Sequence, residues 1–352
     1  MRNKKRLVLT ALLFSGLLSM DAAAQTDIHV LDVGQGLSVL IESNGHYMLY
    51  DGGDSDKSSY VVSYLQQEGV PSLDYVVASH YDSDHLNGVV GALNAFPVSN
   101  VWGPNYTTDT RVFESFNSVV SQKGLSRVQP AIGSQIQLGD ATIQVLAPSG
   151  TDYSDVNNYS IAVRVQDGNT SFLITGDAEA ESEAQMIASG LTLDSDVYVM
   201  GHHGSGTSTS WDLLQAATPE YAVLSCGAGN SYGHPHVESM EKLQAMEIQL
   251  LRTDKQGNIV ASTDGTTITW NVNPCNDYTP GDPNDTPPQP AASSDAVSGQ
   301  EAAAIVYWTP GGKSYHNSRN CSTLSRSKTI NEGPLSDALA AGKSDPCNVC
   351  VK

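Results

Sequence analysis

Positive charge is scarce in this sequence. Its 352 residues carry 18 Lys and Arg against 38 Asp and Glu, a formal charge of −20. Proteins that grip nucleic acid through its phosphates are usually basic. This chain lacks that basic balance, and a polyanion would be repelled at long range. Such a substrate would have to be held locally, by metal ions and a few cations. The plainer reading of the acidity is solubility. Cysteine is also rare: Cys226, Cys275, Cys321, Cys347 and Cys350 are the whole complement. An odd count leaves at least one outside any intramolecular disulfide set. Long apolar runs are lacking as well. The run Leu7–Leu18 falls short of the roughly 20 residues that span a bilayer, and no other segment approaches that length.

What is present begins with a leader. Arg2, Lys4, Lys5 and Arg6 precede the apolar run, and Ala22–Ala24 precede Gln25. That order predicts a secretory signal peptide over 1–24, cleaved after Ala24, and hence a secreted or periplasmic protein. Loss of those four basic residues and Asp21 leaves a charge of −23. No Cys stands near the cleavage point, which argues against a lipid anchor. Residues 274–300 are dominated by Pro, Asp, Ser and Ala and read as a flexible linker. The chain thus divides into a large domain, 25–273, and a small module, 301–352.

The large domain alternates strand and helix signals. Short β-rich runs come first (IHVLDV, LSVLIES, HYMLYDGG), then a helix over 57–68 and a strand Tyr75–Ser79. Further helices are expected at 86–95, 178–189, 210–217 and 236–246. ATIQVLAP, SIAVRVQ, TSFLITG, DVYVMG and YAVLSC supply strands, with a turn at Asp167-Gly168-Asn169. Two sheets flanked by helices, with the polar clusters at strand ends, predict an α/β sandwich whose site lies at one edge.

Those clusters carry the chemistry. Ser79-His80-Tyr81-Asp82-Ser83-Asp84-His85 sets two His and two Asp within six residues after an apolar strand, in a loop that can fold round an ion. Imidazole nitrogens and carboxylate oxygens suit Zn²⁺, Mn²⁺ or Fe, and four such groups can serve two adjacent ions. A solvated polar loop is the alternative. Asp177 ends the strand LITGD, a position equally suited to capping the following helix. His202 and His203 end another strand in GHHGS, and His234 and His236 lie in YGHPH. Alone, the His pair is a weak ligand signal. The last His pair also suits a plain helix-entry loop, with Pro235 in its first turn. Six of the nine His nevertheless fall in three post-strand loops, and convergence on one sheet edge explains all three.

The order DGG, SHxDxDH, NNxS, TGD, GHHGS and YGHPH resembles the metallo-β-lactamase superfamily. With its opening DVGQG, it more closely resembles the soluble hydrolase domain of the ComEC DNA-uptake competence family. The resemblance spans about residues 27–272. It implies an αββα sandwich, a binuclear centre, and a phosphodiesterase or nuclease that attacks with a metal-activated hydroxide. By motif match it implies that His80 and Asp82 bind one metal. Asp84, His85 and one of His202 and His203 (here assigned as His203) would bind the other, with Asp177 bridging. Asp84 and Asp177 would orient the attacking water. His202, His234 and His236 would bind phosphate or protonate the leaving oxygen, and Asp51 would support the ligands. Gly201, Gly204 and Gly206 would let the backbone approach. Two departures stand out: Asp82 replaces the usual second His, and no His lies between His85 and His202. The first site is therefore oxygen-rich, with Asn157, Asn158, Ser160 or water left to complete it, which tilts preference from Zn²⁺ toward Mn²⁺.

The tail is separate. His316, Cys321, Cys347 and Cys350 match a structural Cys₃His zinc set and resemble the Cys-rich metal-binding part of Ada; disulfides compete in an exported protein. Cys226 reads as a buried thiol, and Cys275 as free or available for an intermolecular bridge. The competence family's transmembrane channel has no counterpart in this sequence. Two other classes compete with a nuclease: a small-substrate hydrolase of phosphorylcholine esterase or β-lactamase type, and a non-catalytic surface-binding module. The choline type would want an aromatic cage, and the motifs display none.

Overall fold

The computed structural model describes residues 25–285 continuously and, beyond them, part of 305–346. The leader 1–24 lies outside the described residues, as do Cys347, Cys350 and the linker beyond Asp285. The chain divides into two compact units, 1–288 and 289–352.

In the first unit the chain runs twice through the same plan. Strands β1 (Thr26–Val30), β2 (Val39–Ser43) and β3 (His46–Tyr50) form an antiparallel meander. Helices α1 (Ser58–Gln67), α2 (Ser83–Ala95) and α3 (Arg111–Gln122) then alternate with the parallel strands β4 (Leu73–Val77), β5 (Val98–Trp102) and β6 (Arg127–Val128). The second pass opens with the meander β7 (Gln135–Leu138), β8 (Ala141–Val145), β9 (Val163–Asp167) and β10 (Thr170–Ile174). Helices α4 (Ala180–Ala188), α5 (Trp211–Ala217) and α6 (Val237–Ala245) next alternate with the parallel strands β11 (Val197–Val199), β12 (Tyr221–Leu224) and β13 (Gln249–Arg252). The short helix α7 (Thr253–Gln256) follows. Strands β14 (Ile259–Thr263) and β15 (Ile268–Trp270) return to the first sheet beside β1. Parallel neighbours need helical crossovers, which cover the outer face of each sheet.

The layers follow from alternation along the strands. Inward residues of both sheets, among them Ile28, Val39, Ile41, Val163, Val165 and Phe172, form one core between the sheets. Leu40 and Leu49 face the other way and pack on Val61, Leu86, Val89 and Phe116 of α1–α3. Leu173, Tyr198 and Ala222 pack similarly on Met186, Leu213 and Leu243 of α4–α6. Each such side chain contributes about 1.5–3 kcal/mol when fully buried. The αββα sandwich expected from the sequence is the fold.

Three local expectations change. The helix expected from residue 86 starts at Ser83, so Asp84 and His85 sit in its first turn rather than in a loop. Asp82 takes the extended N-cap backbone there, and an acidic first turn suits the helix dipole. The helix expected from 178 starts at Ala180. Asp177 does not cap it; the Asn158 side-chain oxygen accepts from the Glu179 and Ser182 amides instead. Finally, 274–285 is docked on the first unit rather than acting as a linker. The Cys275 amide donates to Leu250, Tyr278 to the Ile248 carbonyl, and buried Arg252 donates to the carbonyls of Asp277 and Thr279.

In the second unit, strands β16 (Ile305–Trp308), β17 (Ser314–His316), β18 (Asn331–Pro334) and β19 (Asp345–Pro346) form a small sheet in the order β18-β16-β17-β19. Val306, Trp308 and Ala338 make one small core, and Cys321 with Leu324 makes another. His316 is buried on β17.

Candidate metal centre

Every residue of the centre leaves the carboxyl end of a parallel-paired strand, where open α/β sheets present their ligand sites. Asp51 follows β3, His80 follows β4, and Asp84 and His85 open α2. Asp177 follows β10, the His202-His203 pair follows β11, and His234 follows β12.

Asp51 organises the first-sheet side. Fully buried, it accepts from the Ser79 amide (2.8 Å), the Ser79 hydroxyl (2.7 Å) and His85 Nδ1 (2.8 Å). Donation by His85 Nδ1 leaves the lone pair on Nε2. Ser79 gives its proton to Asp51, so its oxygen accepts from His80 Nδ1 (3.0 Å). The His80 lone pair is then also on Nε2, which is buried without a hydrogen-bond partner. On the opposite side, His203 Nδ1 donates to the Ser225 carbonyl (3.1 Å). Its Nε2 lies 3.1 Å from His85 Nε2. Asp177 Oδ2 stands 3.2 Å from the His85 nitrogen and 3.3 Å from the His203 nitrogen, and Asp84 Oδ2 lies 3.4 Å from His203 Nε2. Asp177 Oδ1 is buried and unpartnered.

The His85 and His203 rings meet nitrogen to nitrogen with the Asp177 and Asp84 oxygens beside them, and one divalent cation can be shared by this whole group where a proton joins only two of its atoms. The ligand atoms of His80, His85 and Asp177 lie within 4.8 Å of one another, as do those of Asp84, His85 and His203. The donor set and its orphaned atoms therefore fit a pair of divalent metals of the Zn²⁺ or Mn²⁺ kind.

Without metal the electrostatics are strained. Burial raises the Asp177 carboxyl, yet His203 and His85 hold it well below the usual range. Burial lowers His203, but Asp177 and Asp84 bring it up to about 9. His85 is also raised, as Asp177, Asp51 and Asp84 overcome the same burial. Burial and then neighbouring His85 depress His80 to about 4. His234 is depressed to about 3 by burial and by three neighbouring imidazoles.

The His202-His203 turn is built from two consecutive left-handed residues, φ 48° and 54°. Such backbone costs about 1–2 kcal/mol per non-glycine residue. It is held by bonds from the His202 amide to Gly176 and from the Ser205 amide to His202. The turn sends His203 inward and leaves His202 at the rim, Nε2 3.8 Å from Asp177 and Nδ1 3.3 Å from Glu179. Gly204 follows at φ 79°, where a Cβ would come within 2.7 Å of Pro235. At the first-sheet side, a Cβ on Gly36 would meet the Asp84 carbonyl at 2.3 Å, which explains the glycine in DVGQG.

The structure thus gathers His80, Asp84, His85, Asp177 and His203, with His202 and His234 beside them. Asp82 stands outside both tight groups, half exposed, 3.8 Å from His80 Nε2. His236 has both nitrogens committed to backbone, Nδ1 to the Gly206 amide and Nε2 to the Tyr232 carbonyl. Asn158 is spent on α4, and the Ser160 hydroxyl accepts from the Asp177 amide. Cys226 is a buried thiol pushed up to about 12 by burial, and Cys275 is free.

Sequence reasoning missed an aromatic wall. Tyr81, Tyr106, Tyr159 and Tyr153 pack in a chain with centroids 4.6, 4.7 and 4.8 Å apart, the first two contacts tilted and the last edge-on. It starts at the residue between His80 and Asp82, and Tyr106 and Tyr159 are partly exposed. These tyrosines are scattered over 79 positions of sequence, from Tyr81 to Tyr159, so no local pattern announces them.

Residues 31–228 match the family model described as the metallo-beta-lactamase superfamily. The chain belongs to that superfamily and is one of its hydrolases. It is similar to competence protein ComA of Neisseria gonorrhoeae, at 34% identity over 70% of this chain and 34% of that protein. It is also similar to recombination protein 2 of Haemophilus influenzae, at 35% identity over 66% and 28%. The chain therefore spans about a third of the length of these curated relatives. Among solved structures it resembles the metallo-beta-lactamase fold protein YhfI of Bacillus subtilis, at 16% identity and a TM-score of 0.46, over 68% of this chain and 100% of that one. Among the described residues no helix is long and apolar enough to cross a membrane.

Proposed function

We propose that this chain is an exported metal-dependent phosphodiesterase that acts on nucleic acid. The carrying observation is the convergence of three imidazole Nε2 atoms with Asp177 and Asp84. The similarity to competence and recombination proteins supports the substrate class, and the basic-apolar leader supports export. His80, Asp82 and Asp177 would hold one metal and Asp84, His85 and His203 the other, with Asp177 shared. When bound, the pair supplies Lewis acidity that activates water and neutralises charge on a phosphoryl oxygen.

The chain's own residues do the rest. Asp51 locks His85, and through Ser79 His80, in the tautomer that offers Nε2. Asp84 and Asp177 are the carboxylates that can orient the attacking water. His202, backed by Glu179 and Thr207, is the rim group with a ring nitrogen facing the cluster, suited to bind a phosphate oxygen or protonate the leaving oxygen. His234, kept neutral by its surroundings, suits hydrogen bonding to phosphate. No Lys or Arg pairs with Asp82, Asp84 or Asp177 among the described residues; their ion-pair partners are all His. Substrate charge would thus be met by the metals, in keeping with the acidic chain.

The tyrosine wall supports a second reading. Aromatic faces stack nucleobases, and they also cage quaternary ammonium groups, as a phosphorylcholine esterase would need. Assay of the metal-loaded chain on linear DNA, RNA, bis-p-nitrophenyl phosphate, p-nitrophenyl phosphorylcholine and nitrocefin separates the readings. Turnover of DNA or RNA together with the simple diester is expected; turnover confined to the choline ester or to nitrocefin overturns the nuclease reading. For the tail, we infer a structural zinc held by His316, Cys321, Cys347 and Cys350. Loss of tail structure on chelation supports it, and loss on reduction alone supports disulfides.

A further inference from the structure

A second cluster lies on the outer face of the first sheet. Asp27 and His29 are two apart on β1 and share a face, and Glu42 on β2 is the register partner of Asp27. Carboxylates directly opposed across an antiparallel pair repel. No Lys or Arg relieves them: among the described residues, none forms an ion pair with Asp27, Glu42 or neighbouring Glu68. A ring nitrogen of His29 and one oxygen each of Asp27 and Glu42 lie within 4.8 Å of one another.

His29 is the informative member. It is 5% exposed under α1, and its Nδ1 lies 2.8 Å from the Tyr64 hydroxyl. Either partner of that bond can donate, according to the His29 tautomer; the form in which Nδ1 donates to the Tyr64 oxygen leaves the lone pair on Nε2. That nitrogen is buried with no hydrogen-bond partner. A buried polar nitrogen left unpaired is destabilising, and two opposed carboxylates add to it. One cation at this point answers both defects.

We propose that Asp27, His29 and Glu42 form a second, separate divalent-metal site that ties β1 to β2 beneath α1. One imidazole nitrogen and two carboxylates suit a borderline ion such as Zn²⁺ or Mn²⁺. Metal–ligand distances of about 2.0–2.2 Å set ligand atoms up to roughly 4.4 Å apart, so the cluster needs only a slight contraction. Nothing in this site touches the catalytic centre, and its test does not depend on activity.

The full chain, its Glu42→Gln variant and its His29→Gln variant are equilibrated by dialysis against micromolar Zn²⁺, and bound metal is counted by mass spectrometry. Each variant is expected to hold one equivalent less than the parent. The same difference should persist when both forms also carry His85→Ala, which disables the catalytic cluster. Should His29→Gln fail to fold, Glu42→Gln, at a half-exposed position, still decides the matter. Equal metal content in parent and folded variant overturns the proposal.

Discussion

The two halves of the sandwich supply the centre in different ways. The first delivers His80, Asp82, Asp84 and His85 from one segment, where β4 ends and α2 begins. The second delivers Asp177, His203 and His234 from the ends of three neighbouring parallel strands. In the first half, geometry comes from a helix start and from one buried carboxylate, Asp51, that fixes two imidazoles. In the second, it comes from sheet register and a pair of strained residues, His202 and His203. Local chemistry positions one side of the centre, and the tertiary fold positions the other.

The largest effect should follow loss of a carboxylate inside the cluster. Asp84→Ala removes the oxygen 3.4 Å from His203 Nε2. Turnover of a simple phosphodiester is expected to fall on the order of 10³-fold or more while the circular dichroism spectrum is retained. Near-parental turnover would remove Asp84 from the centre.

A smaller effect is expected at Asp51, which touches ligands and not substrate. Asp51→Asn leaves the fold but weakens the hold on the His85 tautomer, and metal affinity should drop roughly 10–100-fold. Competition against a chromophoric chelator measures this. An unchanged affinity would mean that the first half does not depend on its bracket.

pH tests the second half. In the metal-free protein the His203 pKa is raised to about 9. A raised folded-state pKa stabilises the fold below the unfolded value of about 6.5, and that contribution is lost as pH rises through about 9. Metal needs the neutral ring, so uptake must displace this proton. Apparent metal affinity should therefore climb between about pH 6.5 and 9. A flat profile over that window would count against His203 as a ligand.

Metal identity should produce the smallest difference. The first site has one His and two carboxylates by the proposed assignment, so Mn²⁺ should restore the chelator-stripped enzyme at least as well as Zn²⁺. Restoration by Zn²⁺ alone would show that softer ligation dominates.

The same contrast explains what could be read from the sequence. The first-half motif was legible because four ligand-type residues fall within six positions, and Asp51 through its DGG context. Asp177 and the two His loops gained meaning only together, since a single Asp after a strand also reads as a cap. The structure shows that Asn158 performs that capping. The middle of the domain was opaque: β5, α3, β6 and β7 are short or highly polar on one face, and α3 is capped by Thr110, an unremarkable loop residue. Residues 274–285 looked like linker by composition, yet they dock through backbone groups, which composition does not report. The tyrosine wall and the Asp27–His29–Glu42 cluster arise from cross-strand and interloop contacts, which have no local sequence signature.

The most direct test concerns Asp177, the carboxylate that joins the two halves. The full chain and Asp177→Ala should be prepared in parallel with Mn²⁺ and assayed on bis-p-nitrophenyl phosphate and linear DNA. The account predicts turnover of both by the parent and loss of both by the variant. A parent inert toward both phosphodiesters, or a variant as fast as its parent, would contradict it.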